Sequence, residues 1–325
     1  MKILVTGGAG FIGSHLSDAL VETNQVTVLD NLSVGNKANL KGFKEKGGRL
    51  VVGDVRDKDK VNQVIKKIDL VFHLAVQCVR LSFKNPHLLH EVNTGGTLLV
   101  LEAVRQAKVK KFVYISSSEV YGTTQKLPIS ETDPTLPTTI YGASKLAGEY
   151  YALAYARSFG IPVVIVRPFN TYGPRAHFAG VYGEVIPKFF IRQLNSKSPI
   201  IYGDGKQTRD FTYVSDTVSG IIRSAFVKKA VGEIINIGTG EEIQIRQLAN
   251  LIGVICRQEV TPIFRPSRPA DVLRLKANTE KARILLEFIP KVSLREGLTD
   301  YFEWLKNSGT DLKSAFKLNQ EENWM

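Results

Sequence analysis

The sequence predicts an α/β protein in which a doubly wound parallel sheet is followed by a smaller α/β C-terminal lobe. Three observations point there. Short β-branched runs alternate with longer amphipathic segments through the first half. A glycine-rich turn, Gly7-Gly8-Ala9-Gly10-Phe11-Ile12-Gly13, separates the first run from the first amphipathic segment. After Pro168, Gly, Pro and aromatic residues become dense up to Gly183 and the later periodic segments shorten, which marks a boundary. At 325 residues the chain is long enough for one large domain with an appended lobe.

The strands are expected at Lys2–Thr6, Gln25–Leu29, Leu50–Gly53, Leu70–Leu74, Lys111–Ser116 and Pro162–Arg167. Helices fill the gaps, the clearest beginning near Phe11, Asp57, Pro86 and Ile140, where apolar residues recur every three or four positions. Residues 1–168 are assigned to the sheet domain, with later segments returning to it, and 169–325 mainly to the second lobe. Helices in that lobe are expected at Glu184–Asn195, Asp216–Lys228, Ile245–Ile255 and Leu294–Asn307, and disorder only after Gly309.

Hydrophobic content of 43% and charged content of 23% are those of a soluble globular protein. No apolar run approaches the roughly 20 residues of a membrane span, and Met1–Val5 leads straight into a strand, so a cytoplasmic protein with no membrane partner is expected. Cys78 and Cys256 lie far apart without metal-ligand spacing, which argues against a disulfide framework or a metal site. The formal charge of +12 is spread over pairs such as Lys66-Lys67, Lys110-Lys111 and Lys228-Lys229, a solvated surface rather than a nucleic-acid stripe. Such a field attracts a diphosphate-bearing small molecule.

The glycine turn follows a strand and opens a helix, the context of a dinucleotide fingerprint. Gly7 permits the tight turn, Gly10 lets backbone approach a pyrophosphate, and Gly13 allows close helix packing. The helix N-terminus at Phe11-Ile12 then faces the phosphates. Asp30 ends the second strand, where a carboxylate accepts both ribose hydroxyls and repels a 2′-phosphate, which favours NAD over NADP. Asn31 follows it. Asp54-Val55 and Leu74-Ala75 sit at two further strand ends on the same edge, placed for adenine and pyrophosphate, although a turn and a buried strand end are nearly as good readings. Tyr141 and Lys145, four residues apart on a helix, share one face, and an ammonium beside a phenol of ordinary pKa about 10 favours the phenolate.

Thr6–Gly13, Asp30–Ser33, Gly53-Asp54, His73-Leu74-Ala75, Ser116–Gly122 and Tyr141-Gly142-Ala143-Ser144-Lys145, in that order, resemble the extended short-chain dehydrogenase/reductase family, and within it the nucleotide-sugar epimerases and dehydratases. The resemblance spans about residues 1–305. It implies an NAD-binding Rossmann domain, a sugar nucleotide between the lobes and a homodimer joined through helices. It makes Tyr141 the base, Lys145 its partner on the nicotinamide ribose, and Ser117 the hydroxyl on the substrate's C4 oxygen. Arg167–Arg175 is similar to the family segment that enters the substrate lobe, with Asn170 near the sugar or its diphosphate. Gln207–Phe211 and Arg268–Asp271 resemble two arginine clamps, which makes Arg209, Arg268 and Asp271 substrate contacts; Val185 and Tyr202 are similar to residues lining the nucleobase pocket.

The product is less determined than the oxidation at C4. Ser117-Ser118-Glu119 is similar to the hydroxyl-Ser-Glu triplet of GDP-mannose-type dehydratases and UDP-glucuronate decarboxylases, in which the glutamate is an acid/base. It departs from the hydroxyl-Asp-Glu of dTDP-glucose dehydratases, because Ser118 cannot protonate a leaving C6 hydroxyl. Asp30–Ser33, the long Arg167–Arg175 segment and Arg268–Val272 look more like UDP-sugar 4-epimerases. Arg80, in Gln77–Ser82, is similar to an arginine-bearing loop of uronate epimerases with one residue missing; it could meet a substrate carboxylate, and an exposed loop arginine is the better-supported reading. The favoured reading is 4-epimerisation of a UDP-hexose or UDP-uronate, with 4,6-dehydration or decarboxylation through Glu119 as the alternative. A non-catalytic NAD-binding protein is the reading of another class, and intact Ser117, Tyr141 and Lys145 speak against it.

Overall fold

The computed structural model describes residues 1–124 and 126–318. Its centre is a seven-stranded sheet formed by β1 (Lys2–Thr6), β2 (Gln25–Asp30), β3 (Arg49–Val52), β4 (Leu70–His73), β5 (Lys111–Ile115), β6 (Val163–Pro168) and a strand from later in the chain, Ile234–Ile237. Four short strands lie between β6 and that later one: β7 (Asn170–Tyr172), β8 (Ile200–Tyr202) and, across a tight link, β9 (Thr208–Arg209) with β10 (Phe211–Tyr213), so Ile234–Ile237 is β11. The spatial order is β11-β6-β5-β4-β1-β2-β3 and every pairing is parallel. Each expected strand forms within a residue or so of its anticipated ends. β11 was not anticipated, and it pairs with β6 from Ile234↔Ile165 to Ile237↔Pro168.

The side-chain period of two explains why both faces are covered. Leu4, Leu29, Val71, Phe112, Tyr114, Val163 and Ile165 point to one face and pack with Val61, Val100, Leu101, Val104 and Ala152. Their alternate neighbours Ile3, Val5, Val28, Phe72, Val113, Ile115, Val164 and Val166 point to the other, against Leu16, Leu20, Val218 and Ile221. Parallel strands buried on both sides read as nearly continuous apolar runs, which is what made them legible.

Beyond β6 the chain forms paired short strands. β7 lies parallel to β10, β9 antiparallel to β12 (Ile243–Gln244), and β8 parallel to β13 (Ile263–Arg265). Helices Val185–Leu194, Ile245–Cys256 and Leu294–Asn307 enclose the lobe core around Phe189, Phe190, Leu248, Ile252, Leu298 and Tyr301. Disorder was expected after Gly309, but Leu312–Lys317 is helical: Asp311 caps it by accepting from the Lys313 and Ser314 amides, and Ala315 is buried. The rest of that expectation, residues 319–325, lies outside the described residues.

One helix organises the centre. Ile140–Phe159 starts where the Thr139 hydroxyl accepts from the Gly142 amide, and stops at Gly160 in the left-handed region, φ +67°. Its buried face carries two charged residues, Lys145 and Glu149. Glu149 takes a bidentate ion pair from Arg167 on β6, with Nε–Oε1 2.9 Å and Nη2–Oε2 2.6 Å, and also accepts from the Ser116 hydroxyl at the end of β5. The pair is almost wholly buried, at 3% and 2% side-chain exposure, so each charge depends on the other for solvation. Arg167→Met therefore leaves a buried carboxylate and is expected to destabilise the fold by about 3–5 kcal/mol, whereas Glu149→Leu/Arg167→Met recovers much of the loss. Denaturant unfolding of the two variants checks this; equal losses would show that the pair is not the source.

Candidate active site

All the candidate site residues line one continuous cavity of about 470 Å³ at the carboxyl ends of the strands, where β1 and β4 part to opposite sides of the chain order. At one end lies the glycine turn. Gly7 has φ +70°, and a Cβ there would come within 2.7 Å of the Ala75 amide nitrogen. At Gly13 a Cβ would meet the Gly7 carbonyl oxygen at 2.1 Å, so both positions exclude any side chain. Gly10 caps the helix Phe11–Val21 without a side-chain bond, which leaves the first-turn amides of Phe11, Ile12 and Gly13 directed at the cavity.

Asp30 ends β2 with its carboxylate built into this turn: one oxygen accepts from the Ala9 amide at 2.9 Å and the other from the Leu32 amide at 2.8 Å. Burial raises its pKa and the two amides oppose the rise. A carboxylate held on two amides keeps lone pairs toward the cavity, the arrangement a ribose diol needs. Asp54 lines the cavity and already has partners within the protein. Arg56 donates to both of its oxygens at 3.0 Å and Asn31 donates at 2.8 Å, which holds it at a pKa of about 2. It sits on the rim and orients Asn31, while Val55, Leu74 and Ala75 supply apolar wall.

At the centre stand Ser117, Tyr141 and Lys145. Ser117 follows β5 and accepts from the Glu119 amide at 3.2 Å. Lys145 is 3% exposed, with Nζ 4.4 Å above the Tyr114 ring, and dehydration lowers its pKa to about 7 against the opposing pull of Glu149. The expectation of a tyrosine drawn down by its lysine is not met in the protein alone. Burial pushes the Tyr141 phenol up, the Ser117 hydroxyl pulls it back, and Glu119 pushes it further up. The physical reason is that removal from water disfavours both phenolate and ammonium, and at Lys145 this already outweighs the attraction of a neighbouring carboxylate.

Toward the lobe, Glu119 faces the cavity, its pKa raised by burial and lowered by Arg209 and Arg80. Ser118 beside it is buried. Arg209 donates to Asp271 at 2.7 Å, so these two expected substrate contacts also brace one another. The Arg268 guanidinium stacks 4.8 Å over the Tyr202 ring, and burial brings its pKa down to about 10. The side-chain oxygen of Asn170 is buried with no hydrogen-bond partner among the described residues, and Val185, first residue of the helix Val185–Leu194, also lines the cavity. Arg80 lines the cavity rather than standing as an exposed loop arginine, and donates to the Val181 and Tyr182 carbonyls.

Two cavity residues, His177 and Tyr182, were missed. Gln77, from the Arg80 loop, and Glu184, from the segment that resembles the nucleobase-pocket wall, line it as well, and burial pushes Glu184 up to about 7 while Arg80 opposes the rise. The aromatic-dense stretch before Gly183 was the available signal for Tyr182. Asn93, in a π-turn at Glu91–Gly96, was missed too: it accepts from the Gln77 amide at 2.7 Å and donates to Ser144 at 3.0 Å, tying the end of β4 to the Tyr141 helix.

A glycine turn at a helix N-terminus, a carboxylate held on two amides and a Ser-Tyr-Lys set lie along one cleft, an arrangement suited to a dinucleotide. Residues 3–238 match the NAD dependent epimerase/dehydratase family. The chain is 40% identical over 312 residues to a putative UDP-glucose 4-epimerase of Methanocaldococcus jannaschii, covering 94% of this chain and 99% of that one. It is 36% identical to a UDP-N-acetyl-alpha-D-glucosaminuronate decarboxylase of Bacillus cytotoxicus, covering 95% and 99%. Among solved structures, UDP-glucuronic acid 4-epimerase from Bacillus cereus, in complex with UDP-glucuronic acid and NAD, superposes with a TM-score of 0.88 at 34% identity, covering 95% and 100%. The protein belongs to the NAD-dependent epimerase/dehydratase family and is an enzyme with NAD as its cofactor.

The buried lysine makes stability depend on pH. Lys145 releases its proton near pH 7 when folded, against 10.5 as the ordinary value, so the unfolded chain binds the extra proton between those limits and stability rises with pH across them. Lys145→Met removes a burial penalty that is fully present below about pH 7. Its thermal midpoint is expected to exceed the wild type's there and to lose that advantage as the pH approaches 10.5. A pH-independent difference would contradict this.

Proposed function

We propose that this enzyme is a 4-epimerase of a UDP-hexose or UDP-uronate, working through a transient 4-keto sugar. The observation that carries the reading is the single cavity that joins the Ser117-Tyr141-Lys145 centre to Arg209 and Arg268 at the other end. The glycine turn, Asp30 and Lys145 would hold NAD, which would supply a reversible hydride acceptor for C4. Tyr141 takes the C4 hydroxyl proton and gives it back, Ser117 holds that oxygen, and Lys145 fixes the nicotinamide ribose and offsets negative charge on the phenol. This proton transfer and the hydride transfer together leave no unpaired charge at C4. Asp30 holds the adenosine ribose and the glycine turn the pyrophosphate. Arg209 and Arg268 grip the substrate diphosphate, because a planar guanidinium donates in pairs to phosphate oxygens. Val185 and Tyr202 line the base, and Asn170 reaches the sugar or its diphosphate.

A second reading, 4,6-dehydration or decarboxylation, is favoured by one observation: Glu119 presents a carboxyl of raised pKa beside Tyr141 in the cavity. An acid of that kind protonates a leaving group or a carbanion. The relative from Bacillus cytotoxicus bears a decarboxylase name, and the Methanocaldococcus jannaschii and Bacillus cereus proteins bear epimerase names.

The experiment is product identification by mass spectrometry and NMR with UDP-glucose, UDP-N-acetylglucosamine and UDP-glucuronate. Interconversion of C4 epimers is expected, without added reductant; loss of water or carbon dioxide would overturn the epimerase. Glu119→Gln is expected to keep at least about a tenth of an epimerase's rate, whereas a dehydratase deprived of its acid/base loses the 10²–10⁴-fold such groups contribute, roughly.

We also propose a cytoplasmic homodimer. Tyr150 and Phe159 on the Tyr141 helix are 61% and 53% exposed, and Leu98 on the neighbouring helix Thr97–Gln106 is 36% exposed, an apolar set suited to helix pairing between copies. Sedimentation is expected to give a dimer that Tyr150→Glu weakens; a wild-type monomer would dismiss the assembly.

A further inference from the structure

Two loops from opposite lobes meet over Tyr141. The first follows β4 and contains Gln77, Cys78 and Arg80; the second precedes the helix Val185–Leu194 and contains His177, Val181, Tyr182 and Glu184. Arg80 Nε donates to the Val181 carbonyl at 2.6 Å and Nη2 to the Tyr182 carbonyl at 2.7 Å. In return the Tyr182 hydroxyl donates to Gln77 Oε1 at 2.9 Å, and the Cys78 thiol approaches the Val181 carbonyl at 3.9 Å. The base of the first loop is buried and tied down by hydrogen bonds. Gln77 is 5% exposed, and its amide and carbonyl are both held by Asn93, which also donates to Ser144 on the helix of Tyr141. The second loop is doubled back on itself, since the Glu184 amide donates to the His177 carbonyl at 2.8 Å.

Arg80 spends two donors on backbone that belongs to the other lobe, at a place where its charge also reaches Tyr141, Glu119 and Glu184. We propose that the Arg80–Val181–Tyr182–Gln77 clasp is a retaining wall that keeps the oxidised 4-keto sugar in the cleft while it turns over, and that Arg80 is a positioning residue rather than the receptor for a substrate carboxylate. The inference rests on the proposed epimerase reading. Turning the ketose within the cleft weakens its own contacts at the sugar end, so retention at that moment depends on walls and on the diphosphate grip. A ketose that escapes has lost its C4 hydride and leaves one equivalent of reduced cofactor on the enzyme, which stops the next turnover. The redox balance therefore records every escape.

The test compares wild type with Arg80→Ala, Arg80→Lys and Tyr182→Phe, using UDP-glucose and UDP-glucuronate. Two quantities are read: free 4-keto sugar per epimerised product, by mass spectrometry after trapping with deuterated borohydride, and amide hydrogen exchange across residues 177–184. Tyr182→Phe loses one neutral hydrogen bond and is expected to raise escape about fivefold; Arg80→Ala loses two charge-assisted ones and is expected to raise it on the order of a hundredfold. Both are expected to accelerate exchange at 177–184 while the first oxidation continues. Should Arg80→Ala fail to fold, Tyr182→Phe decides alone. The proposal is overturned if escape is unchanged, if the first oxidation itself is lost in Tyr182→Phe, or if Arg80 variants fail only on the uronate. If the wild type yields a dehydrated or decarboxylated product instead, the epimerase reading fails, yet exchange at 177–184 still reports whether the clasp exists.

Discussion

The buried pair of Glu149 and Arg167 is the constraint on which the rest of the site depends. It joins the helix that carries Tyr141 and Lys145 to β6, and through Ser116 to the end of β5, from which Ser117 projects. The Arg167 guanidinium also lies 4.7 Å above the Tyr121 ring, and the Tyr121 hydroxyl donates to Asn236 on β11. Four elements are thereby set by one interaction. A charge pair demands tighter geometry than an apolar contact of the same size, because neither partner has water to fall back on. That demand suits a centre whose hydroxyl, phenol and ammonium must converge on one carbon.

Dehydration dominates the electrostatics of the cleft. It lowers the Lys145 pKa to about 7, raises Tyr141, and lifts the carboxyls of Glu119 and Glu184. In each case burial is the largest cause and neighbouring charge the smaller one. Positive charge is retained at the lobe end, where Arg209 is braced by Asp271 and Arg268 rests on Tyr202. The proposed substrate diphosphate would thus find cationic partners at one end, and the group to be oxidised would meet buried, desolvated residues at the centre.

Legibility followed periodicity and local geometry. The six leading strands were readable because burial on both faces makes each a continuous apolar run, and the turn was readable because Gly7 and Gly13 have no room for a Cβ. β11 was not, since Ile234–Ile237 is four residues long and sits among lobe elements, and only its pairing with β6 makes it part of the sheet. The helix Leu312–Lys317 was missed because it is only six residues long and its anchors are tertiary: Ala315, Leu312 and Phe316 pack on the lobe core, and Asn195 donates to the Leu312 carbonyl. Glu149 and Asn93 carry no motif of their own; their roles arise from partners 18 and 51 residues away in the chain.

By itself the sequence determined the family, the cofactor and most of the candidate residues that line the cleft, because these rest on short motifs of side chains close together in the chain or on a turn that only glycine can make. Only the tertiary structure decided what those residues do to one another. Asp54 is committed to Arg56 and Asn31, Arg209 to Asp271, and Arg80 to carbonyls of the opposite lobe. The tyrosine and lysine are raised and lowered by burial rather than by their proximity. The reason is physical: desolvation and hydrogen-bond partnership depend on everything that surrounds a group, and most of that surrounding comes from distant parts of the chain.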